Sequence, residues 1–132
     1  MKTQINHTAA NSIILTTGMF DLLKEQVRKK KLTKFNEEKI IRELKGATQV
    51  LRSQLPPDVV DVNTRVSLLD LTDNTEVAYD FVTHEKARRK NGTESILSPI
   101  GVAIVGYREG DEVSWQTEGR IKKYLIKGVS RI

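Results

Sequence analysis

The sequence comprises 132 residues, of which 38% are hydrophobic, with no cysteine and a formal net charge of +5. A chain of this length is too short for two ordinary hydrophobic cores, so we expect one compact domain or a small domain with an appendage. The absence of cysteine excludes a disulfide framework and thiolate zinc sites, and no apolar run is long enough to span a membrane. Ile13-Ile14-Leu15 is too short for the apolar core of a signal peptide, so we expect a cytoplasmic protein without a membrane partner.

The positive charge is concentrated in the N-terminal part of the chain. Residues 1–55 contain 11 Lys or Arg and 5 Asp or Glu, whereas residues 56–132 contain 11 and 12. This asymmetry predicts two parts with different partners. We expect residues 1–55 to form a disordered N-terminus plus a helical hairpin, and residues 56–132 to form a separate strand-rich domain.

The first predicted element is a short helix. Residues 1–12 are polar and lack periodicity, so no structure is predicted for them. Thr16 or Thr17 is a suitable N-cap for the helix, which ends in the basic run 28–31. Its apolar face is formed by Met19, Phe20, Leu23 and Val27.

A second and longer helix is predicted to follow. Asn36 is its expected N-cap, and Glu37 and Glu38 favour its first turn. Apolar residues at spacings of three and four continue until Pro56-Pro57 breaks the helix. These are Ile41, Leu44, Leu51 and Leu55, with Thr48 as the one polar member. Two helices with one apolar face each are predicted to pair as an antiparallel hairpin, a short coiled coil.

From residue 59 onward the pattern changes to strands. Residues 63–71 and 76–83 alternate around a turn at 72–75, which predicts a β-hairpin. Residues 84–93 form a charged loop, and a final strand is expected over 120–129 after a turn at Gly119. The expected fold class is α+β: the helical hairpin, then an antiparallel sheet of about five strands with one short helix.

The stretch from Ser95 to Trp115 predicts the short helix between two strands. Ser95 to Leu97 is a short apolar run that ends at Ser98, a good N-cap, and Pro99 suits the first helical position. Gly106 can end the helix in a left-handed conformation, and Gly110-Asp111 is a turn before a strand with Val113 and Trp115.

The order and spacing of residues in this stretch resemble the Gre-factor family of bacterial transcription elongation factors. The family pattern S-P-x-G-x-A-x-x-G-x-x-x-G-D-x-V corresponds to Ser98, Pro99, Gly101, Ala103, Gly106, Gly110, Asp111 and Val113. Residues 56–60 and 63–66 are similar to the short-hairpin branch of the family, the regulator of nucleoside diphosphate kinase. The resemblance implies an FKBP-like fold for residues 56–132, preceded by an N-terminal coiled coil.

The resemblance also implies RNA polymerase as the partner. In the family the globular domain docks at the rim of the secondary channel, and the coiled coil enters the channel. The docking residues implied for this chain are Ser98, Pro99, Gly101, Gly106, Gly110 and Asp111.

The predicted tip of the hairpin departs from the cleavage-stimulating members of the family. Those members carry acidic tip residues that help to hold a catalytic Mg²⁺. The tip residues of this chain are Lys29, Lys30, Lys31, Lys34, Glu37 and Glu38, without an aspartate. Because a cationic tip repels Mg²⁺, we predict a non-enzymatic polymerase-binding regulator with no catalytic residue, metal or cofactor. The alternative is a transcript-cleavage factor that uses Glu37 and Glu38.

Three further patterns could indicate other functions. The tip lysines could bind nucleic-acid phosphates instead of polymerase, whereas Lys86, Arg88, Arg89 and Lys90 are expected to form a solvated loop. His7 and His84 are too isolated for a metal pair, and we expect no nucleophile near either. Prolyl isomerase activity would need an aromatic-lined pocket, and the available aromatic residues are Tyr79, Phe81, Tyr107, Trp115 and Tyr124.

Overall fold

The computed structural model describes residues 12–132, without the side chain of Arg89. His7 and the polar N-terminal segment, except Ser12, therefore lie outside the described residues. The chain divides into two units, with the boundary in the sequence between Leu55 and Pro56. In chain order its α-helices and strands are β1 Ile14–Thr16, α1 Thr17–Arg28, α2 Lys34–Gly46, β2 Thr48–Val50, β3 Thr64–Asp70, β4 Thr75–Val82, β5 Thr93–Ser95, α3 Pro99–Ile104, β6 Glu112–Thr117 and β7 Arg120–Arg131. Short 3-10 helices lie at Arg52–Gln54, His84–Lys86 and Arg89–Asn91.

Helix α1 begins and ends as its sequence predicts. The hydroxyl of Thr16 accepts a hydrogen bond from the backbone N–H of Met19 at 3.2 Å, which makes Thr16 the N-cap. Met19 and Leu23 of the predicted apolar face are buried, whereas Phe20 and Val27 of that face are half-buried. The C-cap is Lys29, and Lys30 follows with a φ of 58°. Helix α1 packs against α2.

The predicted start of α2 is wrong. Thr33, and not Asn36, is the N-cap, because the Thr33 hydroxyl accepts the backbone N–H of Asn36 at 3.2 Å. Thr33 has an extended backbone, which a helix N-cap requires, whereas Asn36 lies inside the first turn and is buried. Both residue types are good caps, so the local sequence did not distinguish them.

The predicted end of α2 is also wrong, because the helix stops at Gly46 and does not reach Leu55. Residues 48–50 instead form β2, which pairs in parallel with β1, and the backbone N–H of Thr48 donates to the carbonyl of Ile13. Threonine and valine at positions 48 and 50 suit a strand, and pairing with a distant segment replaces the helical hydrogen bonds. The predicted apolar seam beyond Leu44 therefore does not exist, and the Leu51 side chain is exposed.

The second unit contains a five-stranded sheet in the order β5-β4-β3-β7-β6. The predicted hairpin of β3 and β4 is confirmed, and the pairs β3–β7 and β6–β7 are antiparallel as well. The prediction of an entirely antiparallel sheet is wrong in one pair, because β5 runs parallel to β4. The strand expected at 95–97 lies at Thr93–Ser95, and residues 95–98 form a turn in which Ser98 N–H donates to the Ser95 carbonyl.

The core of this unit lies against one face of the sheet. Val66 and Leu68 of β3, Phe81 of β4 and Ile126 of β7 are fully buried. Residues 101–107, which include most of α3, are buried as well, and α3 contacts β6. The predicted short helix is thus confirmed as part of the core. No helix within residues 12–132 has the length and apolar character to cross a membrane.

Candidate functional site

The connection between α1 and α2 carries an exposed group of four lysines, which we call the basic tip: Lys29, Lys30, Lys31 and Lys34. Its backbone is set by the end of α1, where the N–H of Lys29 donates to the carbonyl of Glu25 and that of Lys30 to Val27. Lys30 takes the left-handed conformation that commonly follows a helix C-cap. The tip therefore places its positive charges in solvent at the end of α1.

The two glutamates after the basic tip, Glu37 and Glu38, lie at adjacent positions near the start of α2. The Glu37 carboxylate lies 3.4 Å from the Lys30 ammonium, and the Glu37 backbone N–H donates to the carbonyl of Thr33. Glu38 is exposed at the adjacent helical position, and adjacent positions on a helix do not face each other. Residues 12–132 contain no group of three or more metal-ligating side chains. The tip thus exposes four cations, one of which is paired with the Glu37 carboxylate.

A second candidate region is the segment Ser98–Asp111, which has three glycines at positions where a side chain would clash or strain the backbone. The Ser98 hydroxyl accepts the backbone N–H of Gly101 at 3.2 Å, as predicted for an N-cap. A Cβ at Gly101 would lie 2.3 Å from the carbonyl oxygen of Ile96. Gly101 therefore permits the close approach of α3 to the chain that precedes it.

The remaining pattern residues form hydrogen-bonded turns. Gly106 has a φ of 90° after the end of α3, and its N–H donates to the carbonyl of Val60. Gly110 has a φ of 97°, and its N–H donates to the carbonyl of Ile126. The Asp111 carboxylate accepts the backbone N–H of Arg108 at 2.9 Å and closes the turn.

Most of the residues implied as docking groups thus make contacts within the second unit itself. Pro99 and Gly110 are exposed, and Asp111 is half-buried. The exposed residues beside them, Arg108 and Glu109, were not singled out from the sequence, because they occupy variable positions of the pattern. They are the charged side chains that this segment presents to solvent.

His84 lies next to a serine hydroxyl. Its Nδ1 lies 3.0 Å from the hydroxyl oxygen of Ser95, so the expectation that no nucleophile lies nearby is wrong. The same oxygen accepts the backbone N–H of Leu97, and Ser95 is buried. The contact joins the loop after β4 to β5, which is eleven residues away in sequence and therefore invisible to spacing.

The second basic loop is ordered by its own hydrogen bonds. The Arg88 guanidinium donates to the carbonyls of Glu85 and Ala87, and the Arg88 backbone N–H donates to the hydroxyl of Thr93. Lys86 and Lys90 are exposed. The expectation of a solvated loop holds for these lysines, whereas the Arg88 side chain is a structural element of the loop.

Most of the aromatic side chains of the second unit belong to its core. Phe81, Trp115 and Tyr107 are at most 5% exposed, and Tyr79 stacks on Phe81 with ring centroids 5.5 Å apart. These rings are therefore packed within the second unit.

A cluster of ion pairs that the sequence did not reveal joins the β3–β4 turn to β7. The Lys122 ammonium lies 2.9 Å from both the Asp70 and the Asp73 carboxylates, and Arg120 also binds Asp73. The hydrogen bond from Lys122 lowers the pKa of Asp70, and the two carboxylates raise the pKa of Lys122. The cluster links segments about fifty residues apart at this end of the sheet.

Comparison with known proteins places these features in a family. The profile described as "Transcription elongation factor, GreA/GreB, C-term" matches residues 55–131, which is more than half of the chain. The chain belongs to the GreA/GreB family. The match includes the whole Ser98–Asp111 segment and the five-stranded sheet, so the family predicted from the residue pattern is confirmed.

Two curated relatives extend the comparison within the GreA/GreB family. The transcription elongation factor GreA of Clostridium beijerinckii is 36% identical over 100 residues, covering 74% of this chain and 62% of the relative. The regulator of nucleoside diphosphate kinase of Escherichia coli K12 is 31% identical over 83 residues, covering 63% and 61%. The chain spans about three-fifths of the length of these curated relatives.

The fold is also that of a solved GreA/GreB protein. A prokaryotic transcription elongation factor GreA/GreB from Nitrosomonas europaea superposes with a TM-score of 0.62 at 23% identity. The match covers 90% of this chain and 98% of that structure. The mixed α+β architecture is therefore shared across almost all of the chain.

Proposed function

We propose that this protein is a transcription regulator that binds RNA polymerase and does not stimulate transcript cleavage. Membership of the GreA/GreB family supports a role in transcription, and relatives are named as elongation factors and as a regulator. The resemblance on which the family was predicted implies the polymerase secondary channel as the docking place.

The proposal that the protein lacks cleavage activity rests on the charge of the basic tip. A tip that delivers Mg²⁺ needs carboxylate oxygens that are free to coordinate it. Here four lysines are exposed, and the Glu37 carboxylate is paired with Lys30. Each close contact between like charges costs on the order of 1 kcal/mol or more, so the lysines would disfavour binding of a divalent cation at the tip.

The length of the two helices supports the same proposal. Helix α1 has 12 residues and α2 has 13, so each spans roughly 18–20 Å at a rise of 1.5 Å per residue. The second helix is shorter than its sequence predicts, because it ends at Gly46. We place the basic tip at the channel entrance, where it would compete with longer channel-binding factors.

The two parts of the chain have separate tasks in this proposal. Residues 56–132 dock on the polymerase through the Ser98–Asp111 segment, with Pro99 and Arg108 at its exposed surface. Ser98, Gly101, Gly106, Gly110 and Asp111 hold that surface in shape through the contacts described above. Residues 1–55 present the basic tip.

Transcript cleavage on backtracked elongation complexes tests the proposal directly. The protein is added to complexes with a labelled transcript, with a GreA protein as the positive control. We expect no shortening of the transcript beyond the rate of polymerase alone. Shortening at a rate comparable to GreA that is lost in Glu37→Gln/Glu38→Gln would contradict the proposal and establish the alternative cleavage factor.

Association with core RNA polymerase in nuclease-treated extract tests the partner. We expect co-purification that Lys29→Glu/Lys31→Glu reduces but does not abolish, because residues 56–132 still dock. Lys86→Glu/Lys90→Glu is the matched control, since it removes the same charge from another exposed site. Loss of all association after nuclease treatment would favour the nucleic-acid-binding alternative.

A further inference from the structure

Helices α1 and α2 leave an open apolar groove between them. Its floor is formed by Phe20 and Val27 of α1 and by Ile41 and Leu44 of α2. Each of these side chains is half-buried, so the floor remains in contact with solvent. The groove has a volume of about 680 Å³, within the range of roughly 300–1,000 Å³ that binding sites for small molecules occupy. It is therefore large enough for several side chains of a partner.

The rim of the groove is entirely cationic. Lys24 and Lys45 lie on it, and Arg28 and Lys30 complete it towards the basic tip. Arg28 is paired with Glu25 and Lys30 with Glu37, whereas Lys24 lies 5.6 Å from the centre of the Phe20 ring. No ion pair of Lys24 or Lys45 is present within residues 12–132. These two lysines leave positive charge for a partner to neutralise.

We propose that this groove binds an acidic amphipathic helix of a partner protein. Apolar side chains of such a helix would replace water on the four floor residues, and its carboxylates would meet Lys24 and Lys45. The surrounding charge favours an acidic partner, because residues 17–46 contain nine Lys or Arg and five Asp or Glu. The proposal concerns a surface beside the basic tip and does not depend on polymerase binding.

The observations disfavour the other occupants of an apolar groove. A second copy of the chain would bring two cationic rims together, which is repulsive. Residues 1–11 contain Lys2 and no acidic residue, so they lack the charge that the rim would attract. Nucleic acid would gain little from the three aliphatic floor residues, because its phosphates bind cations and its bases stack on aromatic rings. The one aromatic ring of the floor, that of Phe20, already lies 5.6 Å from the Lys24 ammonium.

Binding of a synthetic peptide to the full chain tests the proposal. The probe is a labelled helical peptide of about 18 residues with leucines at i, i+3, i+4 and i+7 and glutamate and glutamine elsewhere. Fluorescence anisotropy should show binding that weakens as NaCl is raised from about 50 mM to about 500 mM. A peptide with lysine in place of glutamate should bind at least tenfold more weakly. Like charges would then face each other at the interface, and each 1.4 kcal/mol of lost binding free energy corresponds to about tenfold in affinity.

Two variants of equal charge locate the site. Lys24→Glu/Lys45→Glu should weaken binding of the acidic peptide about tenfold or more, whereas Lys29→Glu/Lys31→Glu should change it much less. Ile41→Gln tests the apolar floor and should also weaken binding while the circular dichroism spectrum is retained. The charge variants are at exposed positions, so they keep the test decisive if Ile41→Gln does not fold.

The remaining outcomes would overturn the proposal. They are no binding of the acidic peptide, equal binding of the lysine peptide, and a larger loss at the tip variant than at the groove variant. A concentration-dependent dimer abolished by Lys24→Glu/Lys45→Glu would assign the groove to a second copy. Stronger binding of a single-stranded oligonucleotide, lost in the same variant, would assign it to nucleic acid. None of these measurements contains polymerase, so their failure is distinct from failure of the proposed function.

Discussion

Gly101 offers a sharp test of how α3 is packed in the core. In Gly101→Ala the added Cβ would lie 2.3 Å from the Ile96 carbonyl oxygen and 2.6 Å from the carbonyl carbon. Ordinary contact begins near 3.4 Å, so the two backbone segments must separate by about 1.1 Å. The Ile96 atoms belong to the backbone and cannot rotate away, and residues 101–104 are buried.

The magnitude follows from two opposing effects. Overpacking a tight core costs typically 1–3 kcal/mol, and a backbone clash lies at the upper end of that range, about 3 kcal/mol. Alanine gains up to about 1 kcal/mol over glycine in a helix. We therefore expect the free energy of unfolding to fall by about 2 kcal/mol, which lowers Tm by roughly 8–16 °C in a unit of this size.

Fluorescence of the single tryptophan reports this change selectively. Trp115 is 3% exposed and lies in the same unit as Gly101, so urea unfolding followed at this residue measures the affected unit. Gly18→Ala in α1 is the matched control, because no atom lies within 4 Å of its added Cβ. That control should leave the Trp115 transition unchanged or raise it slightly. A Gly101→Ala protein as stable as the unmodified chain would refute the packing argument.

Substitutions at three further positions test local parts of the structure. Ser98→Ala should lower the free energy of unfolding by about 1 kcal/mol through loss of the N-cap bond, and Ser98→Asp should restore most of it in urea titrations followed at the tryptophan. Lys122 lowers the pKa of Asp70, so this pair stabilises the fold above the ordinary carboxyl pKa of 3.8 and the contribution is lost as the pH falls through the lowered value. Asp70→Asn should reduce the fall in the free energy of unfolding on acidification. An unchanged pH profile would rule out the Asp70–Lys122 pair as a cause of that fall. Glu118 has a φ of 51° in the two-residue turn between β6 and β7, so Glu118→Asn should raise the free energy of unfolding by up to about 1 kcal/mol, measured by thermal unfolding.

Local sequence patterns were sufficient to predict much of the secondary structure of the second unit. Ser98 and Pro99 specify the start of α3 within two residues, and the alternation of residues 63–83 specifies the β3–β4 hairpin. The family pattern also depends on residue order alone, and the matched profile confirms it. At the candidate site, the four lysines of the basic tip are exposed, as their residue type leads one to expect, and their role in binding stays a prediction.

Contacts between distant residues were beyond the reach of such signals. The apolar spacing of Ile41 to Leu55 fits a helix, yet pairing of β2 with β1 ends α2 at Gly46, since backbone hydrogen bonds to Ile14–Thr16 are available only in the folded chain. The same reason explains the parallel β4–β5 pair and the ion pair of Lys30 with Glu37.

The sequence alone thus determined the charge of the tip, the family pattern and the turns around Gly106 and Gly110, because each depends on the chemistry of neighbouring residues. The tertiary structure decided where α2 ends and which carboxylates are paired. It also decided that Gly101 must remain without a side chain, because the Ile96 backbone comes within contact distance only when α3 is packed into the core.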